Sequence, residues 1–298
     1  MKHFWTIIEV PYSDEHGVSF VVQLRNKTRF ILNDCYFTIC KDVFEPYPDS
    51  DYFQVDLVGD FDINVAKEKI KRAVDILIYL TGIPYEVRYV EQDDNVLLDA
   101  IDISYSKTKI ERINEINSQY GKIRSKRALL ENTLRLYALA TNYSVILGDA
   151  EEAFFASFRI LEKIAKDEFE IEKKEIGKGV LNVKYLVQKV LEDDYGIKMP
   201  VNKIDDLAGN LATDMFNTVF SDIYAKIAWF CARRNITYDE NILIKCVKTR
   251  NALAHGENVR IDYNSEEYSF VVKMSDKFIH EKFFTNIKKC YLESKLID

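Results

Sequence analysis

The sequence is poor in the residues that build several common functional sites. Its 298 residues include 10 glycines, and no glycine-rich loop of the kind that holds nucleotide phosphates occurs. Its cysteines are odd in number and lack the paired Cys-x-x-Cys spacing of a structural zinc site. The sequence therefore predicts no disulfide framework, no metal site and no cofactor. The cysteines are Cys35, Cys40, Cys231, Cys246 and Cys290.

Long apolar runs are also missing. The amino-terminal segment reaches Glu9 and Pro11 before an apolar region of signal-peptide length can form. No run of about 18 apolar residues follows, which is the length that a membrane-spanning helix requires. We therefore expect a cytoplasmic protein with no membrane segment.

The charge is negative overall but unevenly distributed. The net charge of −7 argues against indiscriminate binding to nucleic acid. Residues 1–100 carry 18 acidic and 10 basic side chains, whereas residues 101–148 carry 4 acidic and 8 basic ones. A second basic cluster lies further along the chain. A solvated helix face is the simpler interpretation of each cluster, but the second gives four weak RNA-binding candidates, Arg233, Arg234, Lys248 and Arg260.

The first part of the chain has the pattern of strands around one helix. Segments 4–10, 18–24, 30–41 and 53–58 are rich in β-branched and aromatic residues. A helix capped by Asn64 follows to residue 79 or 80, where Gly82 and Pro84 stop it, and a strand is predicted over 85–90. Because most strands precede the helix, we predict a mainly antiparallel α+β domain over 1–105, of unknown role.

The rest of the chain has the pattern of a helical bundle, which we predict over 106–298. It begins with a connector helix over 107–120, and the next helix ends near Gly148, where Asp149 caps another. Further helices are predicted over 181–195, 213–234 and from 237, the last of them called here the motif helix. After it, alternation over 259–263 and 268–274 predicts a β-hairpin, and a final helix begins at Ser275.

The motif helix carries a charged residue on its apolar stripe. Thr237 and Glu240 have capping-box spacing, which predicts the helix start. Arg250 falls within the stripe, so it needs a carboxylate, a phosphate or a wet interface, since burying it unpaired would cost several kcal/mol. The apolar positions of the stripe are Leu243, Cys246, Val247, Leu253 and Ala254.

Two further polar residues follow Arg250 closely. Asn251 and His255 are four residues apart, so they share one side of the helix. Gly256 can adopt the left-handed conformation that ends a helix, which puts His255 in the last turn. There the helix dipole favours a positive imidazolium.

Glu162, on an earlier helix, is a candidate carboxylate partner for Arg250. Glu162 shares a helix face with Arg159, and a surface pair between the two is the more ordinary interpretation. The alternative is that Glu162 orients Arg250.

The arrangement of Arg250, Asn251 and His255 within a helix-rich region resembles the signature of the HEPN superfamily, the higher eukaryotes and prokaryotes nucleotide-binding domains. The resemblance covers at most about the last 175 residues, on domain-size grounds. Many members of that superfamily are metal-independent endoribonucleases that share a composite site across a homodimer interface. Others are inactive binding modules.

The resemblance implies RNA cleavage by attack of the ribose 2′-hydroxyl. His255 would move the proton, Arg250 would neutralise the phosphate, and Asn251 would orient the imidazole or hydrogen-bond the phosphate. It also implies a homodimer, RNA as partner, a nucleotide or phage-derived activator, and a role as a toxin or antiviral defence effector. Two alternatives remain open. One is a non-catalytic dimerisation or nucleotide/RNA-binding module, and the other is a motif that only makes hydrogen bonds within the bundle.

Overall fold

The computed structural model describes residues 2–9, 29–41, 51–89, 107–176 and 180–285. Within these ranges the chain combines an antiparallel five-stranded sheet with nine helices, which confirms the α+β class. No helix in the described ranges is both long enough and apolar enough to cross a membrane. The chain divides into two compact units, one of residues 1–160 with 260–298 and the other of residues 161–259. The domain boundary predicted near residue 105 lies outside the described residues.

The first unit contains the sheet. Its strands are β1 (Lys2–Glu9), β2 (Arg29–Leu32), β3 (Cys35–Lys41), β4 (Asp51–Gly59) and β5 (Glu86–Tyr89), in the order β2-β3-β4-β1-β5. Every neighbouring pair is antiparallel. The single strand predicted over 30–41 is wrong, because Asn33 and Asp34 take positive φ angles of 50° and 65° and turn the chain between β2 and β3. The strand predicted over 18–24 lies outside the described residues.

Helix α1 (Ile63–Thr81) packs on one face of the sheet. Asp62, not Asn64, is its N-cap and accepts a hydrogen bond from the Asn64 amide. Gly82 ends the helix with a φ of 67°, as the sequence predicts. The buried rings of Phe30, Phe37 and Phe53 contact one another within the sheet's apolar core.

Three more helices complete the first unit with part of α4 (Ala150–Ile176). They are α2 (Lys107–Lys122), α3 (Arg127–Val145) and α9 (Glu266–Phe283). Asp149 accepts a hydrogen bond from the Glu152 amide at the start of α4, as its cap spacing predicts. Tyr79 of α1 stacks on Phe284 and meets Tyr137 of α3 edge to face, and α3 packs against α9.

The predicted β-hairpin after the motif helix is wrong. Residues 259–264 form no strand, and α9 covers the second predicted strand as well as Ser275. Ser265 caps α9 by accepting a hydrogen bond from the Tyr268 amide, and two glutamates occupy the first turn. The apparent alternation over 268–274 therefore belongs to a helix whose buried positions recur at helical spacing.

The second unit contains the rest of α4 with α5 (Val180–Asp193), α6 (Val201–Val219), α7 (Ile223–Arg233) and α8 (Glu240–Ala254). The single helix predicted over 213–234 is wrong, since the chain breaks after α6 and Asp222 caps α7 by accepting from the Tyr224 amide. Phe169 of α4 stacks on Phe220 and meets Trp229 of α7 edge to face.

Candidate active site at the end of the motif helix

The motif helix is α8, and its first turn is capped by Asp239. The Asp239 carboxylate accepts hydrogen bonds from the amides of Asn241 and Ile242. The helix therefore begins at Glu240, later than the predicted start at Thr237, because a carboxylate at this position satisfies two free amides directly. Leu243 and Cys246 are fully buried. The predicted stripe weakens towards the end, where Ala254 is exposed.

Arg250 lies where that stripe meets solvent, and it contacts α4. Its Nη2 donates to both carboxylate oxygens of Glu162, at 2.7 and 2.9 Å. The Arg250 side chain is 25% exposed and that of Glu162 is 11% exposed. The arginine on the apolar stripe thus has the carboxylate partner that its position demands.

Glu162 holds a second cation. Lys166, one turn later on α4, donates from Nζ to Glu162 Oε1 at 3.0 Å. The ordinary surface pair between Glu162 and Arg159 is therefore not the arrangement found, and Arg159 is exposed. Burial alone would raise the pKa of Glu162, but hydrogen bonds from Lys166 and Arg250 outweigh it and lower that pKa.

Asn251 extends the arrangement towards solvent. Arg250 Nη1 donates to Asn251 Oδ1 at 3.1 Å. The guanidinium is therefore fixed from two directions, by a carboxylate on α4 and by an amide on its own helix. Asn251 is itself exposed, so the open side of the arginine faces water.

Arg250 keeps donors beyond these contacts. A guanidinium has five N–H groups, and the contacts with Glu162 and Asn251 use three of them. Nε is enclosed and has no hydrogen-bond partner among the described residues. The second Nη1 hydrogen is thus the donor that remains for a further acceptor.

His255 is the C-cap residue of α8, one turn after Asn251, and it is exposed. Gly256 follows with a φ of 72°. Its amide donates to the Leu253 carbonyl at 3.0 Å, and the Glu257 amide donates to the Ala252 carbonyl at 2.9 Å. These two bonds form a Schellman motif, as the glycine predicts. They fix the backbone that carries His255 while leaving its imidazole open to solvent.

The other described histidines are engaged elsewhere. His3 Nε2 lies 2.9 Å from Asp56 Oδ1, and His280 is buried in α9. His16 lies outside the described residues. Of the histidines that the structure describes, His255 is the exposed one.

The four weaker RNA-binding candidates differ in their surroundings. Arg234 is paired with the buried carboxylate of Glu168 and lies over the Phe230 ring, so its charge is largely committed within the second unit. Arg233 lies over the Trp229 ring at 6.0 Å. Lys248 and Arg260 are exposed, and Arg260 belongs to the first unit. The structure thus groups Arg250, Asn251, Glu162 and Lys166 but gives no such grouping for these four.

Sequence reasoning gave Lys166 no role at the site. The signal was present, since Glu162 and Lys166 have the i, i+4 spacing of a helical ion pair. The Glu162 carboxylate balances the charge of only one of its two partners, Lys166 and Arg250. The cluster of these three residues therefore keeps one positive charge. Such a cluster suits a phosphate. No group of three or more His, Cys, Asp or Glu suited to a metal ion occurs within the described part of the chain.

Comparison with known proteins gives no relatives: no protein-family model, curated protein or solved structure matches this chain.

Proposed function

We propose that this protein is a metal-independent endoribonuclease whose site is formed by Arg250, Asn251 and His255. The observation that carries the proposal is the state of Arg250. It is anchored on Glu162 and Asn251 while Asn251 and His255 remain exposed. An arginine fixed in this way is preorganised to meet negative charge, which is the usual requirement for stabilising phosphate chemistry.

The proposed reaction is a transesterification within RNA. His255 accepts the proton of a ribose 2′-hydroxyl, and the oxygen attacks the neighbouring phosphorus. The bond from phosphorus to O5′ breaks, and O5′ takes up a proton from an imidazolium. The products are a 2′,3′-cyclic phosphate and a 5′-hydroxyl. Arg250 donates to the non-bridging oxygens as charge builds on them.

A homodimer is part of the proposal. In the family that the motif resembles, arginine and histidine act in a site shared by two copies. Arg250 of one copy would act beside His255 of the other, and the imidazolium formed on that His255 would protonate O5′. The exposure of Asn251 and His255 leaves both available to another chain.

A second candidate function is a non-catalytic RNA- or nucleotide-binding module. It is favoured by the pairing of Arg250 with Glu162, which reduces the charge that the arginine can offer. Lys166 restores one positive charge to the cluster, and a positive charge favours binding of a phosphate whether or not it is cleaved.

The two candidates differ in a direct assay. Purified protein is incubated with labelled single-stranded RNA in the presence of a chelator, beside the variants His255→Ala and Arg250→Ala. The nuclease proposal expects cutting by the wild type and loss of cutting in both variants. Equal cutting by wild type and His255→Ala contradicts it. Binding without cutting, with and without added nucleotides, favours the second candidate.

A further inference from the structure

The sheet of the first unit has one face that α1 does not use. Phe4, Thr6 and Ile8 of β1 are buried on the face that they share with the buried apolar side chains of β4, so Trp5 projects from the opposite face. Asp56 of β4 pairs directly with Trp5, and Tyr36 of β3 pairs directly with Asp56. Two aromatic side chains therefore flank one carboxylate in a single row across three strands.

The carboxylate in this row is buried but only half satisfied. Asp56 is 3% exposed. Its Oδ1 contacts His3 Nε2 at 2.9 Å and accepts from Gln54 Nε2 at 3.3 Å. Its Oδ2 is enclosed and meets no hydrogen-bond donor in the part of the chain that the structure describes. Burying a carboxylate oxygen in this way is unfavourable unless a donor reaches it.

Trp5, which pairs with Asp56 across the strands, has a hydrogen-bond donor that also lacks a partner in the described ranges. Trp5 Nε1 is enclosed and has no acceptor among the described residues. One strand pairing thus presents an unused acceptor on Asp56 and an unused donor on Trp5. A ligand that satisfies both must offer an N–H and an acceptor next to one another. The edge of a nucleobase has this pattern.

The aromatic residues suit the same ligand. Neighbouring strands lie about 4.8 Å apart, so the backbones that carry Trp5 and Tyr36 are about 10 Å apart. A planar ring that enters this row can stack on either side chain, and stacking on aromatic side chains is a general way of binding bases. Tyr36 and Val58, which neighbour Asp56 on this face, are 36% and 49% exposed, so solvent reaches two of the side chains around the enclosed carboxylate.

We propose that His3, Trp5, Tyr36 and Asp56 form a nucleobase-binding site, called here the sheet-face site. Guanine is the preferred base, because it places two N–H donors beside the O6 acceptor. Asp56 Oδ2 accepts from the donors, Trp5 Nε1 donates to O6, and His3 positions the carboxylate through Oδ1. The excess of acidic residues over residues 1–100 favours an uncharged nucleoside over a polyphosphate. The proposal does not depend on the ribonuclease proposal.

The intrinsic fluorescence of Trp5 provides the test. The chain has two tryptophans, so the variant Trp229→Phe leaves Trp5 as the single reporter. Guanosine, adenosine, cytidine and uridine are titrated into this variant. We expect a saturable change in emission at submillimolar guanosine and weaker binding of the other three. Absence of binding by all four at millimolar concentration overturns the proposal.

Variants separate the proposed contacts from general effects. In the same background, Asp56→Asn and Tyr36→Ala should each weaken guanosine binding about tenfold or more, because they remove an acceptor charge and a stacking surface. Tyr185→Ala removes an exposed tyrosine from α5 and should change nothing. Circular dichroism checks that each variant is folded, and Tyr36→Ala remains informative if Asp56→Asn is not. Wild-type affinity in both folded variants overturns the proposal. His255→Ala should bind guanosine normally. The guanosine titration and the RNA cleavage assay therefore test the two proposals independently.

Discussion

Arg250 on α8 and Glu162 on α4 are joined by two hydrogen bonds from one guanidinium nitrogen, across a separation of 88 residues in sequence. The contact fixes the arginine of the motif on a helix that carries no part of that motif. Lys166, one turn after Glu162 on α4, donates to the same carboxylate. The cluster therefore combines a structural anchor with an excess positive charge.

The anchor should contribute measurably to stability. Glu162→Gln keeps the shape of the side chain but removes its charge, and we expect the free energy of unfolding to fall by roughly 1.5–3 kcal/mol, the usual value of hydrogen bonds to charged groups. Denaturant titration measures this. Glu170→Gln is the matched control, since Glu170 is exposed on the same helix and its replacement should cost under about 0.5 kcal/mol. Equal effects of the two substitutions would show that the anchor adds nothing.

The same contact should depend on pH. The pKa of Glu162 is lowered in the folded protein, so its stabilising contribution is complete above the pKa of an unfolded glutamate, about 4.3. The contribution disappears as pH falls through the lower folded value. We expect the stability difference between wild type and Glu162→Gln to be constant from about pH 6 to 7 and to shrink below about pH 4.3. A difference that stays unchanged into strong acid would contradict the lowered pKa.

Two glycine-to-alanine substitutions, one after α8 and one within α6, should change the stability of the protein in opposite directions. Gly256 has a φ of 72°, so Gly256→Ala should destabilise the protein by about 1–2 kcal/mol. Gly209 lies within α6 with open space around it, so Gly209→Ala should stabilise by about 0.5–1 kcal/mol. Thermal unfolding of both variants measures the contrast. Destabilisation by Gly209→Ala, or none by Gly256→Ala, would refute this explanation of the helix end.

A site shared between two copies predicts complementation. If arginine and histidine come from different chains, a mixture of Arg250→Ala and His255→Ala proteins contains dimers with one intact site. Such a mixture should recover up to about a quarter of wild-type cutting, since half of the dimers are mixed and each has one site of two. Each variant alone is the control. A mixture that is as inactive as its components, although the chains exchange, argues for sites within single chains.

Much of the fold follows from local signals in the sequence. The antiparallel strands, the stop at Gly82 and the left-handed Gly256 follow from alternation and from glycine chemistry. The errors also have local causes. Ser265 and Asp222 are caps that the apolar patterns on either side obscure, so one helix was predicted as a hairpin and another pair as a single helix.

The candidate site was only partly predictable. Arg250, Asn251 and His255 are neighbours in sequence, so their grouping on one helix could be foreseen. The choice of Glu162 between Arg159 and Arg250 could not, because helix spacing favours the local pair and only tertiary packing brings α8 to α4. The unused atoms of Trp5 and Asp56 likewise depend on strand register, which hydrophobic patterning alone did not fix.

The measurement that decides the proposed function is the chemistry of the RNA ends. RNA of defined sequence is incubated with wild type and with His255→Ala in chelator, and the fragments are analysed by mass spectrometry. Attack by the 2′-hydroxyl predicts 2′,3′-cyclic phosphates and 5′-hydroxyls for the wild type and intact RNA for His255→Ala. Fragments that carry 5′-phosphates, or the same fragments from both proteins, would contradict the assignment of His255 as the base.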